Sequence, residues 1–199
     1  TKQRSERMSI FGGDDVQTVA NEIYGGSSEI PDSGRVVARP TAIDQIWADV
    51  RQPRRAVPLN IRLHWNGNPA KVPTLLEQWH EVAMKVLGQD LFINLLLEGE
   101  GDGMDTDKFP SVAQDFMELV HLAHDIRTIG LTNAITVVES DDKLMIETGE
   151  RRWLAYHLLH MHLGDEWAKI PATQSNRGDS GWRQATANTG GRQLSAIGR

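Results

Sequence analysis

The chain has 199 residues, 39% of them hydrophobic and 24% charged, with a formal net charge of −6 and no cysteine. It is long enough for one domain with its own core, and disulfides, thiolate nucleophiles and cysteine-based zinc sites are excluded. No run approaches the ~18 apolar residues of a membrane span, and the opening TKQRSERMSI lacks a signal-like apolar stretch, so the expected setting is cytoplasmic with no membrane partner. The charge is uneven: residues 151–199 carry +4 and the first 150 carry −10. Such asymmetry suggests that anions are received in the C-terminal quarter, an unevenly solvated surface being the plain alternative.

Residues 1–34 are polar and rich in Gly and Ser, and read as a flexible arm with one short helix near 15–24. RVVA at 35–38 reads as a strand, followed by an irregular stretch with Ile43, Ile46 and Trp47 as core contacts. In RQPRR at 51–55, Pro53 breaks any helix and holds the chain extended. Residues 73–87 read as a helix, with Pro73 at the first helical position and Leu75, Leu76, Trp79, Val82, Ala83 and Val86 on one face before Gly88. FINLLLEG continues the core, and EGEGDGMDTD is an exposed acidic loop. A second helix begins at Ser111, expected to cap it with Gln114 as the reciprocal partner, and ends at Gly130. Its apolar stripe is Phe116, Leu119, Val120, Ala123 and Ile126.

AITVVES (134–140), Asp141–Asp142 and KLMIET (143–148) read as a β-hairpin. Thr148–Gly149 then leads into the helix ERRWLAYHLLHMHL, with Trp153, Leu154, His157, Leu158 and Met161 near one face. Residues 171–183 read as polar turns, and the chain becomes helical again from about Arg183.

The strongest chemical signal is TGERRWLA at 148–155. A strand that ends in Thr-Gly ahead of a helix presents unpaired amides and about half a positive charge, where anions bind readily. Arg151 and Arg152 add guanidinium forks suited to phosphate oxygens, and Gly149 lets a ligand approach. Solvated or acid-paired arginines are the competing reading.

GERRWLA resembles the GERR motif of ParB proteins, and RQPRR at 51–55 is similar to that family's QPR element. LAHDIRTIGLTNAITVV (122–138) resembles the helix, glycine and strand that precede the motif. ATANTGGRQLSAI (185–197) sits where the family has its second phosphate motif, with Leu194 and Ile197 setting the register. The four matches occur in the family's order and cover most of 35–58 and 113–199.

The resemblance implies an α+β fold of the ParB/sulfiredoxin-like kind: a small mixed sheet, packed helices and a helical C-terminal segment. It implies a nucleotide-binding domain over 35–182, with an insertion at about 59–112 that has no family counterpart. Residues 183–199 would begin a helical region leading to DNA-reading helices beyond residue 199. It also implies a pocket for CTP with Mg²⁺. Thr148, Gly149, Glu150, Arg151 and Arg152 would hold the phosphates, Thr132, Asn133 and Ala134 would lie near base and sugar, and Asn188 would help bind the metal. Ala187 replaces the second motif's glutamate, and Gly191 its arginine, for which the adjacent Arg192 could substitute. The implied function is nucleotide-gated DNA partitioning by a clamp, with a homodimer and DNA as partners and CTP hydrolysis left open.

A ParB-like nuclease and an interaction domain that no longer binds nucleotide are the alternatives. A nuclease needs clustered carboxylates, and the densest run of acids here lies in the 98–107 loop. Sulfiredoxin chemistry requires a cysteine. His157, His160 and His162, and His121 with His124, have spacings that admit a metal but suit packing or solvated imidazoles better. EGEGDG lacks the glutamate that a calcium loop needs at its twelfth position, which is Phe109.

Overall fold

The computed structural model describes residues 37–52, 55–100 and 106–175. In chain order, strand β1 (Arg39–Ala42) passes through a 3₁₀ turn into the two-residue β2 (Ile46–Trp47). A largely helical stretch follows: α1 (Leu59–Arg62), α2 (Val72–Leu87), α3 (Ile93–Leu97) and α4 (Ser111–Ile129). The hairpin β3 (Ile135–Ser140) and β4 (Lys143–Thr148), helix α5 (Glu150–Leu163) and strand β5 (Lys169–Ser175) complete an α+β fold.

The five strands form one mixed sheet in the order β1-β5-β3-β4-β2. β1 runs antiparallel to β5, β5 parallel to β3, β3 antiparallel to β4, and β4 parallel to β2. The two edge strands are consecutive in sequence and joined only by Ile43–Gln45. A flat five-stranded sheet would separate its edges by about 19 Å, whereas a 3₁₀ turn advances only ~2 Å per residue. The sheet must therefore curl until its edges approach. The turn is held at that point by Ile43, whose amide donates to Ala168 O at 3.0 Å and whose carbonyl accepts from Trp153 Nε1 at 3.0 Å.

The hairpin turn is the one the sequence suggested. Asp141 and Asp142 both adopt positive φ (51° and 60°), and Ser140 pairs with Lys143. Two-residue hairpins require that backbone, and Asp tolerates it better than most side chains. The ladder slips once: Thr136 pairs with Thr148 and Val137 with Ile146, which leaves Glu147 as the extra residue of a bulge.

The core is continuous. Trp153 through Leu159 are all buried, so the middle of α5 has no solvent face. The expected single stripe on that helix is thus too narrow: α5 packs on α4, α2 and the sheet together, as a helix enclosed on all sides must. The stripe expected on α4 is buried in full. On α2, Leu75, Leu76, Trp79 and Ala83 are buried, while Val82 is half-buried and Val86 is exposed. Trp79 locks α2 to α4, edge-on to Phe116 and donating Nε1 to Val112 O at 2.9 Å. The 59–112 region thereby belongs to the same core, supplying Trp65, Leu76, Trp79 and Leu97 among others.

Three local expectations are corrected. The first strand lies at Arg39–Ala42, not 35–38; Val37 and Ala38 precede it, and 35–36 fall outside the described residues. Its Pro40 sits on an edge strand, where a missing amide is tolerated. Ser111 does not cap α4, because the cap position is Pro110, whose carbonyl accepts from the Ala113 and Gln114 amides at 2.9 and 3.0 Å. Finally, residues read as turns from 171 include the interior strand β5, in which Ile170, Ala172 and Ser175 are buried. The helix near 15–24 and the segment after 183 fall outside the described residues.

Candidate functional site

β4 delivers the chain to the start of α5 through Gly149, whose φ of 99° and ψ of 26° are left-handed. An added Cβ there would lie 2.7 Å from Ile135 Cγ2 and 3.1 Å from its Cβ, so strand β3 comes up against the turn itself. Both conformation and space call for glycine. The first helical bond is from Trp153 N to Gly149 O at 3.1 Å, and no side chain caps the helix. No capping side chain therefore offsets its partial positive charge.

The three charged residues that follow face different ways. Glu150 turns inward to Arg55, with Oε1 accepting from Nε at 3.1 Å and from Nη2 at 2.9 Å, while Oε2 accepts from the Ala56 amide at 3.1 Å. The two side chains are 10% and 2% exposed, which makes this a buried ion pair. Arg55 lies over the Trp65 ring, Trp65 stacks on Trp153 at 6.3 Å, and Trp153 meets His157 edge-on. Among the described residues, Arg55 Nη1 is buried without a hydrogen-bond partner.

Arg152 reaches back to the segment just ahead of β3. Its Nη1 donates to the carbonyls of Asn133 and Ala134, the latter at 3.0 Å, and its burial lowers its pKa. Arg151 lies at the surface, where its Nη1 is 3.0 Å from Glu118 Oε2 and both side chains are about two-fifths exposed. Nearby Asp115 has a raised pKa, chiefly from burial, then from Glu118, with Arg151 opposing.

The residues expected to form the pocket are thus brought together where they can be described. Thr148 ends β4 opposite Thr136, while Thr132 and Asn133 are exposed beside the turn and Ala134 is half-buried. The QPR element joins the same place: Gln52 Nε2 donates to the carbonyls of Ile146 and Glu147 at 2.7 and 3.1 Å, prolonging the edge beyond β2. Asn188 and Arg192, like Pro53 and Arg54, lie outside the described residues.

Sequence reasoning did not single out Arg55, Glu118 or Glu147. Glu147 is 3% exposed, accepts from Ser175 Oγ at 2.6 Å through Oε2, and leaves Oε1 unpartnered. Its place in a strand of alternating type would have signalled an exposed side chain, and the bulge is what overrides that. The histidines are dispersed: His160 contacts Asp165, His162 contacts Asn94, His124 contacts Leu97 O, and His157 is buried with its pKa driven down to about 3 by desolvation. Among the described residues, no group of three or more potential ligands could hold a metal ion, and no helix is long and apolar enough to cross a membrane.

No protein-family model matches this chain, and no curated protein matches it.

Proposed function

We propose that this chain is a nucleotide-binding domain of the ParB/sulfiredoxin-like kind, taking CTP with Mg²⁺ at the start of α5. The observation that carries the reading is the mutual locking of three separated segments around Gly149. Gln52 holds β4, Arg55 holds Glu150, and Arg152 holds the Asn133–Ala134 carbonyls. Each of these segments carries one of the resembling motifs.

The division of labour differs from one in which every charged residue grips phosphate. Glu150 and Arg55 seat the helix start. Arg152 sets the 132–134 segment beside it, where base and sugar would lie. The phosphates fall to the uncapped helix start and to Arg151. Its present partner is Glu118, in an exposed pair worth under ~1 kcal/mol, whereas a fork on a phosphate is a stronger, charge-assisted contact. A phosphate displaces Glu118 at small cost.

The donor set at the turn fits the nucleotide's anionic groups. The carboxylate of the turn, Glu150, is engaged by Arg55 and is not free for Mg²⁺. The metal would be held by phosphate oxygens and water, with Asn188 the residue of this chain assigned to it. When bound, Mg²⁺ offsets phosphate charge. Binding is the activity proposed here, and it would gate the closing of a homodimeric clamp on DNA.

A second reading, an interaction domain without nucleotide, is favoured by one specific observation: Glu150, Arg151 and Arg152 all have protein partners already. Titration calorimetry of the 199-residue chain with CTP, ATP and GTP, each with Mg²⁺, separates the two. Preferential CTP binding, weakened about tenfold or more by Arg151→Ala through loss of a charge-assisted contact, supports the pocket. Absence of any nucleotide binding by the folded protein sinks it in favour of the interaction domain.

A further inference from the structure

We infer that the segment around α3 is a docking surface for a basic amphipathic helix of a partner protein. The feature is independent of the nucleotide reading and lies within the 59–112 region. Phe92 and Leu95, three residues apart, are 64% and 42% exposed. They form a ridge between two open clefts of about 230 and 440 Å³, both lined by Leu91, Phe92 and Leu95. Leu91, Ile93, Leu96 and Leu97 are buried beneath and anchor the ridge to the core. Single exposed apolar residues are ordinary, but two large ones flanked by apolar clefts form a binding surface in outline.

Charge selects the occupant. Residues 89–100 contain Asp90, Glu98 and Glu100 and no lysine or arginine. Asp90 and Glu100 line the smaller cleft, and all three carboxylate residues are exposed. A second copy of this chain, related by a two-fold axis, would set the same acidic patch against itself. A basic partner is attracted by it, and by the net charge of −6 over the chain. A helix supplies the matching shape, because apolar side chains three or four positions apart can straddle the Phe92–Leu95 ridge, one in each cleft. Its flanking lysines or arginines then meet Asp90 and Glu100. The larger cleft is bounded on its far side by His80 and His162, which are tied to Leu91 O and Asn94 Oδ1.

The test uses fluorescein-labelled peptides of about 16 residues: leucine and lysine with helical period, the same residues scrambled, and a leucine–glutamate counterpart. Fluorescence anisotropy with the full chain at neutral pH should show the patterned leucine–lysine peptide binding about tenfold or more tightly than the other two. Phe92→Ser with Leu95→Ser, both exposed and so compatible with folding, should weaken it about tenfold. Asp90→Lys with Glu100→Lys should weaken it comparably. The charge-matched control Asp44→Lys with Glu139→Lys, at exposed positions in the turn after β1 and in β3, should leave affinity within about twofold. Equal loss in both charge variants would reduce the effect to net charge and overturn the proposal. So would unchanged binding in the ridge variant, with an unshifted Tm in each case. Concentration-dependent self-association abolished by the ridge variant would make a second copy the occupant and equally overturn it.

Discussion

The start of α5 and the ridge of α3 use their side chains in opposite ways. At Glu150–Arg152 every charged group has a partner inside the protein, two of them through the buried carboxylate–guanidinium pair and the Asn133–Ala134 carbonyls. At Phe92 and Leu95 large apolar groups face solvent. A motif that reads as ligand-gripping thus doubles as scaffold, and a run that reads as core is half surface. The difference lies in what surrounds each segment. At the turn, β3 comes up against Gly149 and Arg55 buries the Glu150 carboxylate, so that charge must be paired. The five residues of α3 have the core on one side only.

This contrast makes the turn fragile to substitution and the ridge tolerant. The largest loss is expected from Arg55→Met, which leaves the Glu150 carboxylate buried without its counter-charge, at a cost of about 3–5 kcal/mol. Urea denaturation measures it, and a loss near that of an ordinary surface variant would show that the pair is not enclosed.

Next comes His157 under α5. Burial favours its neutral form, so its pKa falls from 6.5 to about 3 in the folded chain. The unfolded chain takes up the proton first. Stability from this group is therefore complete above its unfolded pKa and is lost as pH falls toward 3, by about 3 kcal/mol near pH ~4.5. A His157→Leu variant should show a correspondingly flatter profile in denaturation at neutral and acid pH. Parallel profiles for the two proteins would refute the assignment.

Gly149→Ala should cost about 2 kcal/mol from the left-handed backbone, and somewhat more from the contact with Ile135. A thermal melt is sufficient, and an unchanged Tm would mean that the turn relaxes freely. At the other end, Phe92→Ser should alter stability by no more than about 0.5 kcal/mol. A large drop in Tm would mean that the ridge is part of the core and not a surface.

Much of the frame was legible before folding was considered. The periodicity of 73–87 and 111–129, Gly88 and Gly130 as stops, and Asp141–Asp142 between alternating strands all correspond to elements of the structure. These signals are local, because helix period, stop residues and turn backbone depend on neighbours within a few positions. Strand β5 was not legible. Its KIPATQS has only two strong strand formers, Ile170 and Thr173, and gains its place from pairing with β1 and β3, about 130 and 37 residues upstream in turn. The cap at Ser111 failed for a local reason, since Pro110 already supplied the cap position.

At the candidate site, the sequence by itself determined that a Thr-Gly step leads into a helix with two arginines in its first turn; that residue 149 must be glycine was decided by its backbone and by Ile135. Which way those arginines and Glu150 point was decided by tertiary structure. The curl of the sheet brings Arg55 and Gln52 to the end of β4, and the approach of β3 gives Arg152 its two carbonyls. A charged side chain has several rotamers of similar energy, and the one adopted is set by which partner lies within reach of its hydrogen bonds. Partners from 18 to 95 residues away in the chain leave no mark in the residues around 150.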